Sequence, residues 1–453
     1  MKLSECKRIY FLGIGGIGMS ALARYFNDVG MDVQGYDLVN SALTQQLERE
    51  GIIINYSDEI AVIPEDIDLV VLTPAIPEDN NQYSWLRSKN ISIKKRAEVL
   101  GMLSRERKTI AIAGTHGKTS TSCLLAHMLT QSGLEISAFL GGLLAEGKTN
   151  YVKGSSDFVV LEADEYDRSF LHLSPQILVI ISMDADHLDI YGDVEQMYLA
   201  YRQLTDQIVE GGILILGPGV YDLMSDEWIS DLNTSGIAIH RIHSDFDYKS
   251  VVVKDNRFQF KFKTNSQKQI VSVDSNLPGL HNVINTTLAL EVGVALRVSF
   301  SDLIRSISSF KGVLRRFETV YNKGRVLVDD YAHHPEEVSY AVKTIKQLYP
   351  NDKVLGIFQP HLYSRTSDFY KDFAKELSGL DGVLLMPIYP AREVPMDGVE
   401  SELIYNLITL DDKELINSDS LVEAIKTRSD YKVVMTIGAA DLEKYHKEII
   451  KVI

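Results

Sequence analysis

A glycine-rich segment between a strand pattern and a helix pattern constrains this chain most. It reads GTHGKT at residues 114–119. The apolar residues 109–113 predict a short buried strand before it, and apolar residues at helical spacing within 123–129 predict a helix after it. Such a turn lets backbone N–H groups converge on a phosphate, while Lys118 neutralises charge and Thr119 can reach Mg2+. The segment predicts a phosphate-binding loop. Since Ile112 stands where a full Walker A motif has its first glycine, a chance Gly-Lys-Thr turn is the alternative.

Size and composition indicate a globular protein of several domains. A chain of 453 residues exceeds one ordinary core, so two to four domains are expected. No apolar run reaches the roughly 18 residues that a membrane span needs, and the N-terminus has no signal-peptide pattern. Cys6 and Cys123 are too few for a disulfide framework or a thiolate metal site. We therefore expect a soluble protein of a reducing, cytoplasmic compartment, with no membrane partner.

The net charge of −16 argues against a nucleic-acid surface. It also means that phosphate ligands can bind only where local arginine, lysine, helix N-termini or a metal ion reverse the field. A motif that binds phosphate in this chain is therefore expected to supply positive charge locally.

A second glycine-rich turn, GIGGIG at residues 13–18, follows a short apolar strand pattern near the N-terminus. The next strand pattern ends at Asp37, about 20 residues after the turn, as in a dinucleotide fingerprint. A further strand pattern ends in a loop with Thr73 and Ala75. An NAD-binding half and a sugar-nucleotide diphosphate site both fit this pattern, and a tight turn that binds nothing is the alternative. A charged run at 105–108 predicts a solvated linker after this segment.

Two acidic clusters follow strand patterns in the central segment, at residues 162–167 and 184–189. Because the carboxyl ends of parallel strands line the ligand crevice of an open sheet, both clusters are expected there. Carboxylates so placed repel one another unless a cation such as Mg2+ lies between them. Solvated acidic loops are the alternative, and His187 in the second cluster is either a ligand or a structural histidine.

Residues 237–273 alternate apolar and polar side chains, which predicts a small antiparallel addition. Asn282 and Asn285 follow on one face of a predicted helix, where their amides could read an adenine edge or serve as caps. Arg315 and Arg316 then suit either a phosphate or a surface ion pair.

The last segment again alternates strand and helix patterns, with polar clusters at the strand ends. These clusters read DDYAHHP at 329–335, QPHLYSR at 359–365 and PIYPARE at 387–393. Paired histidines and aspartates at a strand end are typical of acid–base chemistry. The whole chain is predicted to be α/β with three domains at 1–107, 108–313 and 314–453: a Rossmann-like domain, a central P-loop domain with the antiparallel addition, and a second Rossmann-like domain.

Taken in order, these motifs resemble the Mur ligase family across all three domains. The matching motifs are GTHGKT at 114–119, EADE at 162–165, Asp186-His187, His281-Asn282, RRF at 315–317 and DYAHHP at 330–335. The resemblance is to the alanine-adding branch. It implies an ATP- and Mg2+-dependent enzyme of peptidoglycan synthesis that joins L-alanine to the lactyl carboxylate of UDP-N-acetylmuramate through an acyl phosphate. It also turns the dehydrogenase interpretation of the first domain into a UDP-sugar site.

The residue patterns and the resemblance together predict residue roles. For ATP these are Gly114, Thr115, His116, Gly117, Lys118, Thr119, Ser120, Asn282, Asn285, Arg316 and Asp330. For the UDP-sugar they are Gly13, Gly15, Gly16, Ile17, Gly18, Asp37, Thr73 and Ala75. For the metal they are Thr119, Glu162 and His187, and for catalysis Lys118, His333, His334, His361 and Arg365.

Arg365 is expected to bind the alanine carboxylate, and one of the three histidines to deprotonate the amine. Leu362 departs from the family, which often has arginine there. We expect a monomer or weak homodimer. A recycling ligase that adds a ready-made tripeptide shares most motifs, although SFLHL at 169–173 favours the alanine-adding branch. A nicotinamide-dependent dehydrogenase and a non-catalytic nucleotide-gated binding protein are the alternatives of other classes.

Overall fold

The computed structural model of the protein describes residues 2–89, 91–186, 188–242, 251–254, 257–263, 270–391, 393–440 and 442–453. Across these residues, none of the helices combines the length and apolar character needed to cross a membrane. The chain divides into two compact units. The first comprises Met1–Asp247, Phe262–Val271 and Ile284–Lys311, and the second comprises Tyr248–Lys261, Ser272–Val283 and Gly312–Ile453.

The first sheet of the first unit has five parallel strands in the order β3-β2-β1-β4-β5. Its strands are β1 (Arg8–Leu12), β2 (Asp32–Tyr36), β3 (Ile53–Asn55), β4 (Leu69–Leu72) and β5 (Ser92–Lys95). Its helices are α1 (Ile17–Asp28), α2 (Ala42–Arg49), α3 (Asn81–Ser88) and α4 (Arg96–Glu106). The central strand β1 is apolar because both of its faces are covered. The first glycine-rich turn joins β1 to α1, beside the point where the strand order reverses, which is where open α/β sheets bind ligands.

The second sheet has seven strands in the order β12-β11-β10-β6-β9-β7-β8, all parallel except for the β7–β8 pair. Its strands are β6 (Lys108–Ala113), β7 (Ser137–Phe139), β8 (Tyr151–Val152), β9 (Phe158–Glu162), β10 (Ile177–Ile180), β11 (Ile213–Leu216) and β12 (Ala238–Arg241). Its helices are α5 (Lys118–Gln131), α6 (Leu188–Tyr191), α7 (Val194–Thr205) and α8 (Asp226–Thr234). The phosphate loop joins β6 to α5, and β6 lies between β10 and β9, which lead into the two acidic clusters.

The predicted linker at 105–108 is wrong. Helix α4 continues to Glu106 and β6 begins at Lys108, so one residue separates them. The helix continues because Val99, Leu100 and Leu103 are buried along one of its faces. The first two sheets also share one apolar core, which explains why they form a single compact unit.

A small three-stranded sheet follows in the order β13-β14-β15, formed by β13 (Val252–Lys254), β14 (Arg257–Lys263) and β15 (Ile270–Ser275). The β13–β14 pair is antiparallel, and Phe258, Phe260 and Phe262 are buried along β14, so the predicted addition is confirmed. It begins later than predicted, because β12 pairs in parallel with the second sheet. Helices α9 (Leu280–Ala295) and α10 (Phe300–Ser309) come next.

The last sheet, in the second unit, has six strands in the order β16-β17-β21-β18-β19-β20. Its strands are β16 (Glu318–Lys323), β17 (Arg325–Asp330), β18 (Val354–Phe358), β19 (Gly382–Leu385), β20 (Lys413–Leu415) and β21 (Val433–Ile437). Its helices are α11 (Pro335–Leu348), α12 (Tyr363–Leu377), α13 (Glu402–Tyr405), α14 (Leu421–Lys426) and α15 (His446–Ile450). Apolar clusters cover both faces of this sheet, and β16 is an antiparallel edge strand. The predicted α/β class with three domains is confirmed.

Candidate active site

The phosphate loop is held in shape by a glycine in a left-handed conformation. Gly117 has φ +83°, which L side chains rarely adopt. A Cβ atom at this position would lie 2.6 Å from Oδ1 of Asn285, so the Asn285 amide packs directly on the loop. The loop and the predicted adenine-contacting residue Asn285 are therefore brought together.

Lys118, the first residue of α5, directs its ammonium group back into the loop. Its Nζ donates to the carbonyl oxygens of Gly114 at 2.7 Å and Thr115 at 3.2 Å. A third bond, 2.7 Å long, goes to Oε1 of Glu165. Since an ammonium group has three N–H donors, these contacts match its full capacity.

Glu165 is a functional candidate that the sequence analysis did not single out. Its side chain is only 4% exposed. Burial raises the pKa of the Glu165 carboxyl above its usual value, and the Lys118 ammonium opposes this shift. The backbone carbonyl of Glu165 accepts a 2.6 Å bond from the Tyr191 hydroxyl, which fixes this part of the chain. The signal in the sequence was the EADE motif, but the motif does not say which of its carboxylates faces Lys118.

Thr119 and Glu162, two of the three predicted metal residues, are in contact. The Thr119 hydroxyl donates to Glu162 Oε2 at 3.2 Å, and Ser122 and the Gly141 N–H donate to Oε1 at 2.9 and 2.7 Å. These bonds orient a carboxylate beside a hydroxyl at the phosphate loop, and both are oxygen ligands of the kind that Mg2+ prefers. The residues described here thus fit a magnesium ion. His187, the third predicted ligand, lies outside the described residues.

The remaining predicted ATP residues differ in their surroundings. The Thr115 hydroxyl donates to the Asp184 carbonyl at 2.9 Å, which ties the loop to the second acidic cluster. His116 and Ser120 are half-buried beside it. Asn282 donates through Nδ2 to the carbonyl of Pro278, four residues earlier, at 2.7 Å.

The first glycine-rich turn packs against Asp37 and Thr73, two of the other predicted UDP-sugar residues. The Gly15 N–H donates to Asp37 Oδ2 at 2.7 Å, and a Cβ atom on Gly13 would lie 2.4 Å from Cγ2 of Thr73. Helix α1 then starts at Ile17, with Gly16 as an N-cap that supplies no side-chain hydrogen bond. The backbone N–H groups in the first turn of α1 therefore receive no side-chain cap and can donate to other acceptors. Ala75 is exposed nearby in sequence.

Arg96 supplies positive charge at this turn and was also missed. A Cβ atom on Gly18 would lie 2.6 Å from Nη1 of Arg96, so the guanidinium covers the start of α1. Its Nη2 lies 3.4 Å from Oδ2 of Asp164 in the first acidic cluster. The predicted UDP-sugar residues include no cation, whereas Arg96 places one beside the glycine-rich turn. The basic run at 94–96 was visible in the sequence, but nothing in it indicated a contact with Gly18.

In the second unit, His333 lies between two acceptors. Its Nδ1 is 3.0 Å from the Tyr331 carbonyl and 3.2 Å from Oε2 of Glu337. Burial lowers the pKa of the His333 imidazole below its usual value, which Glu337 opposes and the charge of Arg365 reinforces. At neutral pH the ring is therefore neutral and able to accept a proton.

His361 and Arg365 accompany His333. The rings of His333 and His361 have centroids 6.0 Å apart, and His361 stacks on Tyr389 at 5.8 Å. The Nη1 atom of Arg365 is buried without a hydrogen-bond partner among the described residues. Leu362, between these two residues, has φ +73° and anchors the start of α12 through its backbone.

His334 is placed differently from His333. Its ring packs edge-on against Phe369, with centroids 4.9 Å apart, and it is the N-cap residue of α11. The His333 and His361 rings pack edge-on against each other, whereas the His334 ring packs against a phenyl ring.

The two arginines at the start of the second unit separate into two roles. Arg315 donates to the carbonyls of Gly438 and Ala440, each at 2.7 Å, and pairs with Asp329, so it is structural. Arg316 lies 3.8 Å from Glu337 and above the Tyr331 ring. Of these two arginines, Arg316 is therefore the better candidate to bind a ligand.

Asp330 accepts N–H bonds from Phe317 and Ala332, both 2.8 Å long. These bonds hold the carboxylate at the end of β17, close in sequence to His333. Burial raises the pKa of this carboxyl, and the charge of Arg316 opposes the shift.

Comparison with known proteins covers the chain from end to end. Residues 8–108 match the sequence profile of the Mur ligase family catalytic domain, residues 112–293 that of the Mur ligase middle domain, and residues 315–440 that of the Mur ligase glutamate ligase domain. The chain is similar to a UDP-N-acetylmuramate–L-alanine ligase from Christiangramia forsetii, with 43% identity over 99% of this chain and 98% of the relative. A relative of the same name from Cytophaga hutchinsonii is 42% identical over 99% of this chain and 97% of its own.

A solved structure agrees. The crystal structure of UDP-N-acetylmuramate–alanine ligase MurC from Thermotoga maritima superposes with a TM-score of 0.80, covers 98% of both chains and is 26% identical. On the sequence relatives and the matched domains, this chain belongs to the Mur ligase family.

Proposed function

We propose that this protein is an ATP-dependent ligase that joins L-alanine to the lactyl carboxylate of UDP-N-acetylmuramate in peptidoglycan synthesis. The observation that carries the proposal is the 43% identity to a UDP-N-acetylmuramate–L-alanine ligase over 99% of the chain. Because the match includes all three sheets, it covers the glycine-rich turn, the phosphate loop and the histidine cluster together.

ATP is the substrate of the phosphate loop. Lys118 neutralises its terminal phosphates, and Asn285 borders the adenine side. The family resemblance implies that Arg316 and Asp330 also contact the nucleotide. Thr119 and Glu162 would hold Mg2+, and the family resemblance implies His187 as a third ligand. Bound there, the ion would neutralise phosphate charge so that a second anion can approach.

The reaction needs ATP because a carboxylate cannot expel oxide. A lactyl carboxylate oxygen attacks the γ-phosphorus, ADP leaves, and an acyl phosphate forms. The amine of L-alanine then attacks the carbonyl carbon, and inorganic phosphate leaves as the amide bond forms. The attacking amine must lose a proton, and His333, His334 and His361 are the candidate bases, of which neutral His333 is favoured.

The domain boundaries at 107/108 and 313/314 remain proposals. Family matches that end at 108 and begin at 112 and 315 support them. We also propose that the enzyme works in the cytoplasm, where ATP and nucleotide sugars are made, as a monomer or weak homodimer that engages neither nucleic acid nor membrane.

A substrate panel tests this function. Phosphate release from ATP with UDP-N-acetylmuramate should be fast with L-alanine and slow with a peptide acceptor. Faster turnover with the tripeptide L-alanyl-D-glutamyl-diaminopimelate would assign the recycling activity instead. An unchanged background rate with every amine would contradict ligase activity altogether.

Replacing Arg365 should weaken the use of L-alanine. The buried Nη1 atom has no partner among the described residues, so an incoming carboxylate would be a favourable ligand. Arg365→Ala should raise the KM for L-alanine by about 10- to 100-fold, since a charge-assisted hydrogen bond contributes about 1.5–3 kcal/mol. The affinities for ATP and the UDP-sugar should stay the same. Lys375→Ala on the same helix is the control, and an unchanged KM in Arg365→Ala would remove the arginine from the alanine site.

Replacing Arg96 should weaken UDP-sugar binding. Arg96→Gln removes the cation that covers Gly18, and we expect the Kd for UDP-N-acetylmuramate to rise about tenfold or more by calorimetry. Arg105→Gln removes the same charge from the last turn of α4 and should bind like the wild type. Equal losses in the two variants would point to net charge and not to a contact.

A further inference from the structure

We infer that Glu165 is an anionic placeholder in the phosphate loop, whose carboxylate holds Lys118 until a nucleotide phosphate replaces it. This inference rests on the proposed function, because it concerns the ATP site of the same enzyme. It assigns a role to a residue that belongs to neither the predicted metal ligands nor the predicted catalytic groups.

The three hydrogen bonds of the Lys118 ammonium group show which of its partners a phosphate would replace. Two of its three acceptors are backbone carbonyls of the loop itself, those of Gly114 and Thr115. They stay with the loop whether or not a nucleotide is present. Among the described residues, the Glu165 carboxylate, at 2.7 Å, is the anionic acceptor of this ammonium group. A phosphate oxygen that approaches Lys118 therefore competes with Glu165.

Burial of Lys118 and Glu165 strengthens the competition between the carboxylate and a phosphate. The Lys118 side chain is 17% exposed and that of Glu165 is 4% exposed, so water screens the pair poorly. Removing one partner of a buried pair leaves the other uncompensated, which is unfavourable. With Glu165 neutralised, Lys118 would keep only the two loop carbonyls as partners among the residues that the structure describes. A phosphate would then restore the missing partner without first displacing an anion.

The inference predicts a gain in affinity, whereas a residue that only supports the fold would give a loss. Glu165→Gln keeps the shape of the side chain and removes its charge. We expect it to bind a non-hydrolysable ATP analogue with Mg2+ about tenfold more tightly by calorimetry, since one competing charged hydrogen bond is lost. The KM for ATP should fall while kcat does not rise. The nucleotide-free variant should unfold at a lower temperature, and the analogue should raise that temperature by more than it does in the wild type.

Asp167→Asn is the matched control. It removes one negative charge from the same acidic segment, at an exposed residue whose carboxylate lies 3.7 Å from the Lys95 ammonium. It should bind the analogue like the wild type. Equal tightening in both variants would indicate a general charge effect and overturn the inference.

Binding by Glu165→Gln that is equal to or weaker than the wild type would also overturn it. If this variant does not fold, Glu165→Asp provides the same test, because its shorter side chain withdraws the carboxylate from Lys118. Tighter binding of the analogue by Glu165→Asp would support the inference, and equal or weaker binding would overturn it. A wild-type protein that binds no nucleotide would contradict the proposed function itself, which separates the two failures.

Discussion

Lys118→Ala should lower kcat for ATP-dependent amide formation by about a thousandfold, as expected for the loss of a cation that stabilises a transferring phosphoryl group. The carboxylate nucleophile and the γ-phosphate are both anions, and the whole chain carries a net charge of −16. Lys118 is the cation that the loop itself supplies, with its Nζ held by two loop carbonyls and Glu165. Single-turnover phosphate release measures the effect on the chemical step.

Two controls separate this loss from unfolding. UDP-N-acetylmuramate should bind Lys118→Ala with wild-type affinity, because the glycine-rich turn is built on another sheet. Lys153→Ala, which removes an exposed lysine paired with Asp28, should turn over normally. Turnover of Lys118→Ala within a few-fold of the wild type would show that the phosphates lie elsewhere.

His333→Gln should lower the rate of amide formation about a hundredfold at neutral pH, the lower range for a general base. Burial lowers the pKa of His333 from the ordinary value of 6.5, so its neutral, proton-accepting form prevails at pH 7. In the wild type, kcat/KM for L-alanine should be constant near neutrality and fall as the pH drops through this lowered pKa. His333→Gln should lose that acid limb, since no imidazole is left there to protonate.

His127→Gln provides the comparison. Burial lowers the pKa of His127 as well, but its ring bonds to Ser306 and Ser309 in the first unit, so the pH profile should not change. If His333→Gln retains the acid limb, the base is His361 or His334, and the same profile in those variants identifies it.

The architecture was largely predictable because it follows from apolar periodicity and glycine turns. The strand at 109–113, the GTHGKT loop and the following helix lie where the pattern placed them, in β6 and α5. Strand ends also placed Glu162 beside Thr119, since parallel strands that share a sheet present their carboxyl ends together. These relations are local or set by topology.

Contacts made across distant parts of the chain were not predictable. Glu162, Asp164 and Glu165 lie within four consecutive residues, yet they contact Thr119, Arg96 and Lys118 respectively. Which carboxylate reaches which partner depends on how the backbone turns after β9, and periodicity does not encode that turn. The contact of Arg96 with Gly18 could not be predicted for the same reason, because it requires α4 to pack beside α1. The charged run at 105–108 was misjudged because its helical part is fixed by burial at Leu103, earlier in the helix.

Isotope transfer tests the central claim, that a carboxylate is phosphorylated before an amine captures it. UDP-N-acetylmuramate labelled with oxygen-18 in its lactyl carboxylate is incubated with ATP, Mg2+ and L-alanine, and the released phosphate is examined by mass spectrometry. The account predicts one labelled oxygen in each phosphate, because the attacking carboxylate oxygen leaves with phosphorus. Unlabelled phosphate formed at the same rate as the amide would contradict it.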